Sequence, residues 1–259
     1  MKIFFIGDIV GEPGRKIVAR HLPRLIEQHA IDVVLGNGEN AAGGFGITPD
    51  IAQELFDYGI DVITTGNHVW DKKEILEYIH NERKLLRPAN YPDAVPGKGS
   101  VVIETAKCGS LGVLQLMGRV NMPLLDCPFQ VAERSIEILQ RSVQTIVVDM
   151  HAEATSEKMA MGWYLDGRVS AVLGSHTHVQ TADARILPQG TAYLTDMGMT
   201  GPVNGVIGMK KELSLERFLT HMPRRLEVAR GPCVLSGVIV EVEHKSGVSV
   251  SIERVQVSD

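Results

Sequence analysis

Short apolar runs in this chain repeatedly end in side chains that bind metals, and this limits the fold more than any other feature. Gly174-Ser175-His176-Thr177-His178 follows the apolar run 169–173 and sets two imidazoles two residues apart in a glycine-led loop. Asp8 closes Phe4-Phe5-Ile6-Gly7-Asp8, and Glu39 and Asn40 close Gly36-Asn37-Gly38-Glu39-Asn40. Asn67 and His68 lie in Gly66-Asn67-His68, and His151 ends Val147-Val148-Asp149-Met150-His151. A fold that aligns the carboxyl ends of several strands gathers such residues into one crevice. Alone, Asp8 or Asn67 reads as an ordinary turn or cap residue. The ordered set is what argues for a site.

The apolar runs alternate with longer amphipathic segments, as strands and helices do in an α/β protein. Strands are expected at 2–6, 31–35, 62–65, 101–104, 111–116, 145–148, 169–173 and 192–195. Helices are expected at 15–29, 49–58, 72–80, 131–141 and 155–165, with Thr48 capping the helix that Pro49 opens. The turn-rich stretch 87–99 leads into a hairpin, and 234–242 and 248–255 form another around Lys245-Ser246-Gly247. The segment from Asp196 to Pro202 reads as a turn. With no linker, repeat or low-complexity tract, residues 1–259 are expected to form a single domain in which early βα units and later strands build two packed sheets.

Charged residues make up 22% of the chain and hydrophobic ones 44%, which excludes a disordered chain. A formal net charge of −5 offers no electrostatic footprint for long nucleic acid. The basic pairs Lys210-Lys211 and Arg224-Arg225 read as solvated faces. Cys108, Cys127 and Cys233 are odd in number and lack Cys-x-x-Cys spacing, which indicates neither a disulfide framework nor a thiolate site and fits a cytoplasmic location. Asp8 and Glu12 interrupt the apolar start too early for a secretory signal, and no apolar run reaches membrane-spanning length. Oligomeric state is open, with a homo-oligomer among the alternatives.

Two carboxylates, two amides and three imidazoles, without thiolate, suit iron, manganese, zinc, cobalt or nickel better than calcium. With these five motifs in this order, the chain resembles the calcineurin-like metallophosphoesterases over essentially its whole length. It is most similar to the bacterial YmdB-like subfamily, which includes 2′,3′-cyclic-nucleotide phosphodiesterases. Two departures from the broad superfamily, Val10 in place of a histidine and Glu39 in place of an aspartate, match that subfamily.

The resemblance implies a metallophosphoesterase-like sandwich of two packed mixed β-sheets flanked by helices, with a dinuclear metal site at the strand ends. It implies two transition-metal ions per chain, iron or manganese first and zinc, cobalt or nickel as alternatives. Glu39 would bridge them, Asp8, Asn40 and His178 would complete one site, and Asn67, His151 and His176 the other. His68 would be catalytic rather than a ligand, stabilising charge or protonating the leaving oxygen. Two ligand carboxylates against about four charges on two divalent ions leave a cationic site, so an acidic chain can hold a phosphate ester.

The implied activity is hydrolysis of small cyclic nucleotides, 2′,3′-cyclic ones foremost, by metal-activated hydroxide attack on phosphorus. A phosphomonoesterase or a nuclease of short RNA ends is the alternative within the enzyme class. A slow or inactive metal-containing nucleotide-binding regulator is the alternative outside it.

Other residues have blander readings. Gly43, Gly44 and Gly46 suit a turn with positive φ more than a phosphate loop. Trp70 and Phe45 read as packing anchors, although either could stack on a base, and Arg119 reads as solvated. Asp149, Glu153 and Thr177 could orient the imidazoles, with surface or strand-edge polarity nearly as good a reading. His21, His29, His80, His221 and His244 lack a ligand context.

Overall fold

The computed structural model describes residues 1–105, 108–243 and 245–259, so His244 lies outside the described residues. In chain order the elements are β1 (Lys2–Ile6), β2 (Asp8–Ile9), α1 (Gly11–His29), β3 (Val33–Asn37), α2 (Pro49–Asp57), β4 (Val62–Thr64) and α3 (Ile75–Asn81). There follow β5 (Ser100–Thr105), β6 (Gly109–Met117), α4 (Pro128–Leu139), β7 (Thr145–His151), α5 (Thr155–Tyr164), β8 (Ala171–Ser175), β9 (Arg185–Ile186) and β10 (Ala192–Leu194). The chain closes with β11 (Met199–Pro202), α6 (Lys211–Thr220), β12 (Cys233–Val242) and β13 (Ser249–Ser258).

Strand alternation sorts the apolar side chains into three cores. Ile3 and Phe5 of β1, Val33 and Leu35 of β3 and Val62 of β4 face Val147 of β7, Ala171 and Leu173 of β8 and Leu194 of β10. The intervening Phe4, Ile6 and Val34 pack instead with Ile17 and Leu22 of α1 and Leu55 of α2. On the far side, Ile146, Val148 and Val172 pack with Ile136 of α4 and Met161 of α5. The result is two mixed sheets packed face to face with helices outside each.

The first sheet runs β2-β11-β12-β1-β3-β4 with β13 on β12, and the second runs β5-β6-β7-β8-β10-β9. β1, β3 and β4 are parallel, as are β6, β7, β8 and β10, so their carboxyl ends lie along one rim of the sandwich.

Several boundaries differ from expectation. β7 continues past Val148 to His151 because Asp149, Met150 and His151 keep pairing with both Gln115–Met117 of β6 and Leu173–Ser175 of β8. β3 starts at Val33, not at 31, and α3 at Ile75, not at 72. α1 begins at Gly11, since Pro13 falls in the first turn, where its missing N–H has no intrahelical partner to lose. α2 matches its expected cap, with Thr48 Oγ1 accepting from Ile51 N at 3.4 Å.

The segment read as a turn holds β11, which pairs Met199 and Thr200 with Asp8 and Ile9 of β2. Such short strands are made by a distant partner and carry little local signal. Among the described residues no helix is long and apolar enough to cross a membrane.

Candidate active site

The alternation that builds the central core also furnishes its polar rim. In β7, Val147, Asp149 and His151 share a face, as do Leu173 and Ser175 in β8, Leu35 and Asn37 in β3, and Val62 and Thr64 in β4. Where the apolar pairs run out, these polar residues meet across the sandwich. Asp149 accepts from Ser175 Oγ at 2.6 Å in its own sheet and from Thr64 Oγ1 at 2.5 Å in the other, with Asn37 Nδ2 at 3.3 Å. Ser175 Oγ also lies 2.9 Å from His151 Nδ1. The single serine proton is given to Asp149, so His151 Nδ1 carries hydrogen and donates to the serine oxygen. Nε2 is thereby aimed at the rim.

The seven expected ligand residues meet there. His151 Nε2 lies 3.0 Å from Glu39 Oε1, 3.1 Å from Asn67 Oδ1 and 3.1 Å from His176 Nδ1. Glu39, His151 and His176 form a group whose ligand atoms fall within 4.8 Å of one another. Alongside, His178 Nε2 is 3.2 Å from Asn40 Oδ1 and 3.9 Å from Asp8 Oδ1. His178 Nδ1 donates to the Ile207 carbonyl at 3.0 Å, and the Asn40 amide is oriented by Nδ2 donating to Gly44 O at 3.0 Å. With Nδ1 carrying the hydrogen and no second proton on the ring, Nε2 points a lone pair at the lone pairs of Asn40 Oδ1.

That arrangement fits a cation. Acceptor facing acceptor at hydrogen-bond distance is repulsive unless an electron-poor centre lies between, and buried carboxylate oxygens are rarely without a partner. Asp8 is fully buried and its Oδ1 has no hydrogen-bond partner, although its Oδ2 accepts from His176 N at 3.2 Å. A side chain at Gly66 would place its Cβ 2.2 Å from His151 Nε2 and 2.5 Å from Glu39 Oε2, so glycine leaves the space before these side chains clear. Val10 is buried against Gly201 and Gly208 and contributes no donor.

Burial drives the Asp8 carboxyl above its ordinary range and Asp149 up to about 6. Burial also works to raise Glu39, but the charge and hydrogen bond of His151 and the His68 N–H outweigh it and bring Glu39 to about 2. Burial opposes a charged His151, yet Glu39 and Asp8 hold it at about 9. His176, buried beside that charge, falls to about 3. A proton on His151 thus sits among the same acceptors that a cation would take, and proton and cation compete for the position.

The loop carrying His176 and His178 has backbone strain. Both residues have positive φ, 97° and 66°, a cost of about 1–3 kcal/mol each for non-glycine residues. A buried ion pair holds it. Lys158 Nζ from α5 donates to Ser175 O at 2.7 Å and to Asp196 Oδ2 at 2.6 Å, and that same oxygen accepts from Thr177 N at 3.0 Å and Thr177 Oγ1 at 2.6 Å. Glu153 Oε2 lies 3.1 Å from His176 Nε2. Asp149, Glu153 and Thr177 thus all brace the imidazoles directly or through neighbours, and Asp149 is not surface polarity.

His68 stands at the edge. Its backbone N–H donates to Glu39 Oε2 at 3.1 Å, and its Nδ1 lies 2.8 Å from Asp71 Oδ2. Phe45 packs edge-on against the imidazole with centroids 5.1 Å apart. Trp70 packs edge-on against Tyr91 at 5.6 Å, as an anchor does. Gly43, Gly44 and Gly46 all have positive φ, and Arg119 is exposed.

Sequence reading missed Asn37, Thr64, Asp71, Lys158, Ser175 and Asp196. The His68-x-x-Asp71 spacing and the alternation of an extended β7 were the available signals; nothing local marked Lys158.

The family described as YmdB-like protein matches residues 4–255. The chain belongs to the YmdB-like family. One YmdB-like relative, the 2′,3′-cyclic-nucleotide 2′-phosphodiesterase of Bacillus subtilis (strain 168), is 49% identical over 259 residues, spanning 100% of this chain and 98% of the relative. A crystal structure of a hypothetical protein from Thermus thermophilus superposes with a TM-score of 0.94 at 42% identity, covering 100% of both chains. A Mycoplasma pneumoniae protein described as a novel phosphatase gives a TM-score of 0.93 at 35% identity over 100% of this chain and 93% of its own. The sandwich described above is therefore the YmdB-like architecture.

Proposed function

We propose that this YmdB-like protein is a metal-dependent phosphodiesterase that hydrolyses small cyclic nucleotides, with 2′,3′-cyclic nucleotides as the lead substrate class. Its relatives bear the names phosphodiesterase and phosphatase, so phosphoester-cleaving enzyme is the class they share. The observation that carries the reading is the convergence of Glu39, Asn67 and His176 on His151 Nε2 beside the unpartnered Asp8 Oδ1.

Two transition-metal ions are proposed, iron or manganese ahead of zinc, cobalt or nickel. Glu39 would be common to both, Asp8, Asn40 and His178 would hold one ion, and Asn67, His151 and His176 would hold the other. When bound, such a pair supplies Lewis-acid polarisation of phosphoryl oxygens and acidifies water. The remaining work falls to the chain. Asp71 holds His68 Nδ1, which leaves Nε2 to deliver a proton to the departing sugar oxygen as water adds to phosphorus and the ester P–O bond breaks. Ser175 and Asp149 fix the ring plane of His151, and Lys158 and Asp196 fix the loop of His176 and His178. We place the activity in the cytoplasm, within a single domain.

The test is a panel of 2′,3′-cyclic nucleotide, 3′,5′-cyclic nucleotide and an aryl phosphate monoester, with wild type and His68→Ala and with metal content measured on both. The 2′,3′-cyclic substrate is expected to turn over fastest, and His68→Ala to keep its metal while turnover drops roughly 10²–10⁴-fold. Metal lost in proportion to activity would make His68 a ligand and overturn its role. A faster monoester would favour the phosphomonoesterase, and tight nucleotide binding with negligible turnover the regulator.

A further inference from the structure

Two basic pairs that look like solvated faces in sequence do not stay apart in the fold. Lys210 at the start of α6 and Arg225 beyond its end come together with Arg230 and with Lys72, four residues after His68, around a cleft of about 490 Å³. The returning segment is held in place, since Lys210 N donates to Glu227 O and Ala229 N to Gly208 O, each at 2.8 Å. Glu12 and Glu227 are the acidic residues of the lining. Glu227 is ion-paired with Lys210, and Glu12 with Lys16 of its own helix. Among the described residues Lys72, Arg225 and Arg230 make no close ion pair, although the charges of Arg225 and Arg230 reach Glu227 and that of Arg230 reaches Glu12; four cations against two carboxylates leave the cleft locally cationic on a chain of net charge −5.

Its position gives the charge a use. Gly43 and Phe45 form one wall of the cleft, and Phe45 is the ring that packs against His68. The same loop begins at Asn40, whose amide faces His178. A single half-buried aromatic side chain thus separates the proposed proton donor from a cluster with an excess of positive charge. Phosphate groups are held by such clusters through charge-assisted hydrogen bonds, arginine bidentately.

We infer that this cleft is a second anion subsite, which takes the next phosphate of a substrate longer than a mononucleotide: an oligoribonucleotide whose 3′ end carries the 2′,3′-cyclic phosphate. The cyclic phosphate lies at the rim beside His68, and the chain leads past Phe45 toward Lys72, Arg225 and Arg230. A cleft of about 490 Å³ bordered by Glu12 and Glu227 suits a few nucleotides and not a long strand. This inference rests on the phosphodiesterase reading and names the substrate class of that same site.

The test compares a nucleoside 2′,3′-cyclic phosphate, the same compound bearing a 5′-phosphate, and a trinucleotide ending in the cyclic phosphate. Each is assayed with wild type and with Arg225→Glu/Arg230→Glu at about 50 and 200 mM salt. Binding of a fluorescent trinucleotide ending in a 3′-phosphate is measured alongside. Wild type is expected to show a KM roughly tenfold lower for the trinucleotide than for the mononucleotide at low salt, the loss of one charged hydrogen bond being of that size. The advantage should shrink as salt rises.

The charge-reversed variant should abolish the advantage and the trinucleotide binding while leaving mononucleotide turnover intact, which also shows that it is folded. A gain for the 5′-phosphorylated mononucleotide equal to that of the trinucleotide supports a subsite for one phosphate; a gain for the trinucleotide alone supports one that follows the chain. Equal KM values for all three substrates, or equal trinucleotide binding by wild type and variant, overturns the subsite. If no cyclic phosphate is hydrolysed but trinucleotide binding is still lost in the variant, the activity reading fails and the subsite stands.

Discussion

The two sheets contribute different donor atoms to the rim. The first, through the ends of β1, β3 and β4, brings oxygen: Asp8, Glu39, Asn40 and Asn67. The second, through β7 and β8, brings nitrogen: His151, His176 and His178. The means of support differ as well. The oxygen donors are held by backbone pairing: Asp8 lies in β2 against β11, and Asn40 O accepts from Gly11 N and Gly44 N at 2.9 and 3.0 Å. The imidazoles are held by side chains buried beneath them, Asp149 and Ser175 under His151 and the Lys158–Asp196 pair under the strained loop. A mixed site therefore exists only where the sandwich closes, and each half fails in its own way.

The largest expected effect removes the group that belongs to both halves. Glu39 touches His151 across the sandwich and His68 N within its own half. Glu39→Gln keeps shape and removes charge, and both ions and turnover should be lost. Elemental analysis of the loaded variant checks this; retention of two ions would show that the halves bind independently.

The next effect breaks only the nitrogen half. Lys158 and Asp196 are 1% and 0% exposed, and removing one member of such a pair leaves an uncompensated buried charge, which costs about 3–5 kcal/mol. Lys158→Met should lower stability by that amount in chemical denaturation and weaken cation binding through His176 and His178. Unchanged stability would mean that the loop is held by Thr177 and the glycine backbone alone.

The smallest effect is one of pH and separates protein from cation. His151 has its folded-state pKa raised to about 9 from 6.5, so in the metal-free chain its contribution to stability is complete below pH 6.5 and fades as pH rises through 9. Cation binding must displace the same proton, so affinity should rise across that window, by up to about tenfold per pH unit for this one group. Chelator competition and thermal melts of the stripped protein should move in opposite directions between pH 6.5 and 9. Parallel movement would remove His151 Nε2 from the ligand set.

Much of the convergence was legible in the sequence because the proposed ligand residues directly follow apolar runs, and a strand end is the part of an α/β fold that pattern identifies most simply. Stopping β7 at Val148 hid Asp149 as a core-facing residue, although the alternation Val147, Asp149, His151 was there to be extended. Lys158 and Asp196 were not legible, since a lysine in a helix and an aspartate in a turn are ordinary until Thr177 is placed between them. β2 and β11 exist only through each other. The gathering of Lys72, Lys210, Arg225 and Arg230 depends on the chain doubling back after α6, which no local pattern encodes.

Gly66 gives this rim an unusual kind of dependence. It offers no functional group, yet a single methyl there would intrude within 2.5 Å of His151 and Glu39, two proposed ligands contributed by different sheets. What the position contributes is vacant volume. Selection acting on it would be blind to polarity, helix preference or charge and sensitive only to bulk. A mutational scan would therefore rank this chemically silent residue beside the ligands themselves.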